Sequence, residues 1–64
     1  MFDLTHQQEL ENGDFDYVTV LESASAEAVA KLISTIGENA YQYIVTEFDE
    51  DGDIVEQTNA AEFY

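Results

Sequence analysis

From Glu47 to Asp53 the chain carries carboxylates at alternate positions, Glu47, Asp49, Asp51 and Asp53, with Glu50 and Gly52 among them. Helix-flanked calcium loops use such spacing, so that alternate oxygens converge on one ion around a glycine at the sixth place. With Gly52 at that place, Glu47, Asp49 and Asp51 take the first three ligand positions and Ile54 the apolar eighth. The twelfth position, which needs a bidentate glutamate, is Thr58, and the segments on either side have strand composition. The simpler reading is an acidic hairpin turn in which Asp and Gly serve backbone geometry. On that reading no metal site and no cofactor is expected, beyond the weak divalent binding of any crowded carboxylates.

His6 is the single imidazole, and the chain has no cysteine. A zinc site would need further nitrogen or sulfur donors. A general base would need a nucleophile beside it, whereas Ser23, Ser25 and Ser34 lie in helical contexts. His6 therefore reads as a half-exposed strand residue. Close acid pairs such as Glu9/Glu11 and Asp14/Asp16 have the group type for proton transfer. Among 15 acids, however, close pairs arise by chance, and a chain this short rarely encloses a water-excluding pocket. The expectation is a protein that catalyses nothing.

The elements that would position these groups follow from the pattern. Phe2 to Leu10 reads as a strand. Asn12-Gly13 predicts a two-residue turn, because both residues accept positive φ. Phe15 to Glu22 is rich in β-branched and aromatic residues and reads as the next strand. That turn would pair Leu10 with Phe15, Gln8 with Tyr17, His6 with Thr19 and Leu4 with Leu21. Ser25 is the expected N-cap of a helix, with Glu27 suited to its positive end. Val29, Leu32, Ile33 and Ile36 make one apolar stripe, and Gly37 ends it. Tyr41 to Phe48 is a third strand and Asp53 to Thr58 a weaker fourth. Asn59 to Tyr64 shows no pattern and is expected to fray or to add an edge contact. The result is an α+β domain over residues 1–64 with the order ββαββ. One helix would cover one face of a mainly antiparallel four-stranded sheet.

With the expected register, the helix covers Phe2, Leu4, Leu10, Phe15 and Leu21, joined by Ile44 and Phe48. The open face then shows Val18, Val20, Tyr41, Tyr43 and Val45, edged by Asp3, Glu9, Asp16, Glu22 and Glu47. An apolar centre with an acidic rim has the anatomy of an interface. The opposite parity would make that face the core, and the pattern alone does not choose between them.

Sixty-four residues support one small core, burying only about 60% of the unfolded chain's surface. No apolar run approaches the ~20 residues of a membrane span. Neither a basic n-region nor an apolar h-region follows Met1, so no secretory signal is expected and the default location is the cytoplasm. Fifteen acids stand against one base, Lys31, for a net charge of −14. Self-repulsion of that size opposes compaction, yet 45% of the residues are hydrophobic and 12% aromatic, ordinary for a folded domain. A chain that folds despite its charge has a use for the charge.

Three uses compete: solubility, adaptation to a salt-rich cell, and imitation of a nucleic-acid backbone. Salt-adapted chains generally keep arginine, and this one has none. B-DNA carries one negative charge per about 1.7 Å of axis. A compact domain of this length spans roughly 28 Å, over which duplex carries roughly 16 phosphates, so a net charge of −14 is expected to match a DNA-like density. The absence of interspersed bases also suits a phosphate-binding cleft, which would repel them.

In size, acid density and lack of arginine, the chain resembles the small acidic DNA-mimic inhibitors encoded by phages, though no family motif matches residue by residue. Its YVTVLESASAEAVAKLIS…YQYIVTEF pattern also resembles small phage proteins that bind host RNA polymerase. The resemblance implies a partner that is a basic nucleic-acid-binding protein in the host cytoplasm, with no nucleic acid bound directly and no membrane. Restriction, CRISPR, repair, nucleoid and polymerase proteins are the implied targets. The acids expected to carry that contact are Asp14, Asp16, Glu22, Glu47, Asp49, Glu50, Asp51, Asp53 and Glu56, each offering a carboxylate to Lys or Arg. The alternative is an acidic adaptor or homodimer that uses the open sheet face.

Overall fold

At each hairpin the chain reverses through a three-residue loop that ends on a glycine. The Leu10 amide donates to the Asp14 carbonyl at 2.7 Å and the Gly13 amide to the Leu10 carbonyl at 3.1 Å. The same pair of bonds recurs from Asp49 to Asp53 at 3.0 Å and from Gly52 to Asp49 at 3.1 Å. Gly13 and Gly52 sit at φ 87° and 85°, the left-handed residue that follows a type I turn in this loop. The two-residue Asn12-Gly13 turn expected from the sequence is therefore one residue too short.

That extra residue has consequences along the whole hairpin. The computed structural model, which describes residues 1–63, pairs β1 (Phe2–Glu9) with β2 (Phe15–Ala24). Phe15 faces Glu9, Tyr17 faces Gln7 and Val18 faces His6. A one-residue shift moves every side chain to the other face, so Phe15 and Tyr17 leave the side expected to be core. A bulge between Thr19 and Leu21 restores the register, and Leu21 lies opposite Leu4 as expected.

The helix α1 spans Ala26–Ile36. Ser25 caps it by accepting the Ala28 amide at 3.1 Å, and Gly37 closes it at φ 69° with its amide on the Ile33 carbonyl. Both boundaries are those expected. A 3-10 segment, Gly37–Gln42, then leads into β3 (Tyr43–Phe48) and β4 (Ile54–Asn59). The sheet order is β2-β1-β3-β4, antiparallel throughout. The fold is thus the expected α+β ββαββ arrangement.

Leu4, Val29, Ile33, Ala40, Val45 and Ala60 form the buried core, with Phe2, Leu21, Leu32, Ile36, Tyr43 and Phe63 packed around it. The helix stripe supplies Val29 and Ile33. Each fully buried aliphatic side chain contributes about 1.5–3 kcal/mol. The C-terminal segment does not fray: Asn59 caps a short 3-10 turn, Ala60–Glu62, that buries Ala60, and the Phe63 ring sits 5.5 Å from that of Phe2. The part of the terminal expectation that falls on Tyr64 lies outside the described residues. Among the described residues, no helix is long and apolar enough to cross a membrane.

Candidate functional site

Because β1 runs antiparallel to both neighbours, its first residues meet the last residues of β2 and β3. Phe2 lies opposite Ala24 on one side and Glu47 on the other. This end therefore collects Asp3, Glu22, Glu47 and the turn acids Asp49, Glu50, Asp51 and Asp53, with Glu56 directly opposite Glu47. Asp14 and Asp16 lie at the far end, beside the first turn. The expected acids thus do not form one continuous surface. Most share one end, and Asp14 and Asp16 stand apart.

An open cleft of about 610 Å³ indents the acid-rich end, lined by Met1, Asp3, Glu22, Ser23, Phe48, Asp49 and Glu50. Two local devices shape it. The Asp3 carboxylate accepts the Ser23 amide at 2.9 Å, which holds Ser23 at φ 52°, a conformation that non-glycine residues adopt only when locally compensated. The Asp49 carboxylate accepts the amides of Asp51 and Asp53, both at 2.9 Å. Asp49 is thereby a turn-forming residue as well as a charge.

Oxygens of Asp49, Asp51 and Asp53 lie within 4.8 Å of one another, and all three residues are exposed. Calcium needs six to eight oxygens, and one Asp49 oxygen already serves two amides. Thr58, the twelfth position of the calcium alignment, sits opposite Val45 in the β3–β4 ladder, away from the turn. The acidic-turn reading accounts for every bond here.

The longest extent of the molecule is 37 Å, with 25 and 16 Å across it. Duplex of that length carries about 22 phosphates, against a net charge of −14. The average charge density is therefore below that of DNA, contrary to the match expected from a shorter span. What duplex-like density exists must come from the acid-rich end.

The apolar face expected to be open is only partly so. Val45 is 2% exposed in the core and Tyr43 packs against it. β3 has the opposite parity to the one expected, because Leu4 pairs with Val45 and not with a residue one place away. Ile44, Thr46 and Phe48 take the side away from the helix. There Thr46 lies between Asp3 and Gln57, and its hydroxyl accepts a hydrogen bond from the Gln57 side-chain Nε2 at 3.3 Å. Tyr41 precedes β3, exposed on the 3-10 segment. Val18 and Val20 are exposed, but Val18 lies opposite His6, on Leu4's side of the sheet and not on the face expected to be open. Leu10, Phe15 and Tyr17, which the shorter turn places on the core side, are exposed as well. Gly13 as the third residue of its loop is the sequence signal that would have found them.

His6 stacks on Tyr43 with centroids 4.6 Å apart, and its Nε2 lies 3.5 Å from the Gln42 side-chain oxygen. It lines a cleft of about 390 Å³ with Gln7, Gln8, Glu9, Phe15, Tyr41 and Gln42. An amide and an aromatic ring beside the imidazole offer it no serine, threonine or cysteine nucleophile. Comparison with protein-family models, curated proteins and solved structures finds no match for this chain.

Proposed function

We propose that this protein works by binding and catalyses nothing: its acidic end enters a basic cleft of a nucleic-acid-binding protein and excludes nucleic acid. The observation that carries this reading is the gathering of Glu22, Glu47, Asp49, Glu50, Asp51, Asp53 and Glu56, with Asp3, at one end of the sheet. The only base in the chain, Lys31, is on the exposed side of α1. A partner cleft lined with Lys and Arg gains charge-assisted hydrogen bonds from such an end and meets little repulsion from it. The protein would act in the cytoplasm, on a protein target, without touching DNA.

Co-purification from lysate at low and at high salt, followed by competition of the captured partner against labelled duplex, tests the reading. Affinity that falls steeply with salt, together with displacement of duplex, supports it. A partner that holds both this protein and DNA at once rejects it.

A further inference from the structure

The alternation of hydrogen bonds along β1 tells which side of β2 is free. The Leu10 amide bonds toward β2 at Asp14, and Met1 exchanges both its backbone groups with Phe48 of β3. Even-numbered residues of β1 therefore pair with β2 and odd-numbered ones with β3. Across the ladder, Asp14, Asp16 and Val18 of β2 point their amides and carbonyls inward. Phe15, Tyr17 and Thr19 point theirs outward, on an edge with no neighbouring strand among the described residues.

That edge is only lightly protected: β2 carries the bulge at Val20, and the Asp16 carboxylate accepts the outward Tyr17 amide at 3.1 Å, which leaves Phe15 and Thr19 as the open positions. Proteins blunt long edge strands with lysine, proline or brevity. β2 has ten residues, and neither Lys nor Pro is among them. Its apolar residues are open on both faces: Phe15 is 50% exposed and Tyr17 58% on one, Val18 48% on the other, with Val20 45% at the bulge. The opposite edge, β4, is six residues long and is broken by the irregularity at Phe48/Ile54.

We infer that the free edge of β2 is a docking site for an extended, net-basic segment of another protein, which adds to the sheet as a fifth strand. Strand addition supplies main-chain bonds, and side-chain pockets on either face supply selectivity. Charge chooses the occupant. Asp16 and Glu22 are exposed and bracket an uncharged stretch, Tyr17 to Leu21; the two acids stand six residues apart, about 20 Å at ~3.3 Å per residue. A segment with β-branched residues in its middle and Lys or Arg at both ends satisfies both carboxylates. A second copy of this chain does not. Two-fold pairing about Thr19 sets Asp16 against Glu22 and brings together two bodies of net charge −14. The inference goes beyond the occupancy reading and does not rest on it: the two share Glu22 at the acid-rich end, but Phe15, Tyr17 and Thr19 lie toward the opposite end of the sheet from the Asp49–Asp53 turn.

The test uses the whole protein and a synthetic peptide of alternating valine and threonine with lysines at both ends. Amide hydrogen exchange followed by NMR should show protection of Phe15 and Thr19 on addition of the peptide. The same peptide ended in glutamates should give none. Thr19→Pro removes an outward amide at an edge position where proline is tolerated, and should weaken binding about tenfold or more. Thr19→Lys leaves the backbone intact and should weaken binding by like charge alone. Protection confined to β4, or shifts only at Asp49–Asp53, would overturn the inference. So would protection of β2 that grows with protein concentration in the absence of peptide, which would make the occupant a second copy.

Discussion

Glu47 on β3 and Glu56 on β4 are direct cross-strand partners, two carboxylates on one side of the same ladder. Opposed like charges weaken a strand pair by roughly 0.2–1 kcal/mol, and the rest of the acid-rich end adds to the repulsion. Glu56→Lys converts the pair to opposite charges. It should raise the melting temperature by about 2–4 °C, the equivalent of about 0.5 kcal/mol in a domain of this size. The parent protein should itself melt higher at about 500 mM than at about 20 mM NaCl, where screening lengths are ~4 and ~20 Å. The variant should respond less to salt. Thermal melts at both salt concentrations read both effects, and a parent that melts lower in high salt would contradict the repulsion argument.

Asp49 separates charge from geometry. Its carboxylate takes the amides of Asp51 and Asp53, so Asp49→Ala leaves both without their acceptor and should cost about 1 kcal/mol. Asp49→Asn keeps an acceptor oxygen and removes one of three crowded charges. It should stay within about 0.5 kcal/mol of the parent. Urea unfolding of the two variants distinguishes the roles. Equal loss in both would mean that the charge, not the acceptor, holds the turn.

Phe63 tests whether the C-terminal segment belongs to the folded unit. Its ring packs on Phe2, and Ala60 just before it is fully buried. Phe63→Ala should cost about 1–2 kcal/mol, less than truncating a fully buried aromatic because Phe63 is half-buried. In a domain this small that is a large share of the total. A melting temperature unchanged by the substitution would return the segment to the frayed state its sequence suggests.

The helix was legible to the residue because its signals are local: a serine cap, a stripe at helical spacing and a terminal glycine all point the same way. Element order was legible for the same reason. Parity was not, because it depends on a single residue of loop length. Glu11-Asn12-Gly13 contains the dipeptide of a two-residue turn but forms a three-residue loop with Gly13 left-handed, and that moved Phe15 and Tyr17 across the sheet. The bulge at Val20 then restored Leu4 against Leu21, so agreement at one pair concealed disagreement at the rest. Tyr43 and Val45 had no local signal at all. Their side was decided by which residue of β3 met Leu4, a contact between strands that lie far apart in sequence. Of the candidate site, the acids were legible and their separation into two ends was not.

For calcium the expected result is negative. Three exposed carboxylates, one of them already engaged with two amides, fall short of the six to eight oxygens the ion takes. Titration calorimetry in physiological salt should reveal no stoichiometric site tighter than about millimolar. A micromolar site lost in Asp51→Asn would replace the turn reading with a metal-binding one.

The occupancy reading makes its sharpest prediction about which substitutions matter together. Carboxylates that act as a field share their effect, so Asp16→Asn and Glu56→Gln should each weaken partner binding by no more than a few-fold, as exposed single charges do. Neutralising Asp49, Glu50, Asp51 and Asp53 together should remove most of the acid-rich end and cost far more. Asp49 is best replaced by Asn in that variant, to preserve the turn. Association should slow in proportion to the charge removed, since long-range attraction acts on encounter. Asp14 and Asp16, at the other end of the sheet, should contribute least. Val18→Ala keeps every charge and removes apolar surface from β2. If it abolishes binding while the four-fold neutralised variant binds normally and salt has little effect, the acidic end is a solubility device. The working surface is then the apolar strand, and the protein is an adaptor.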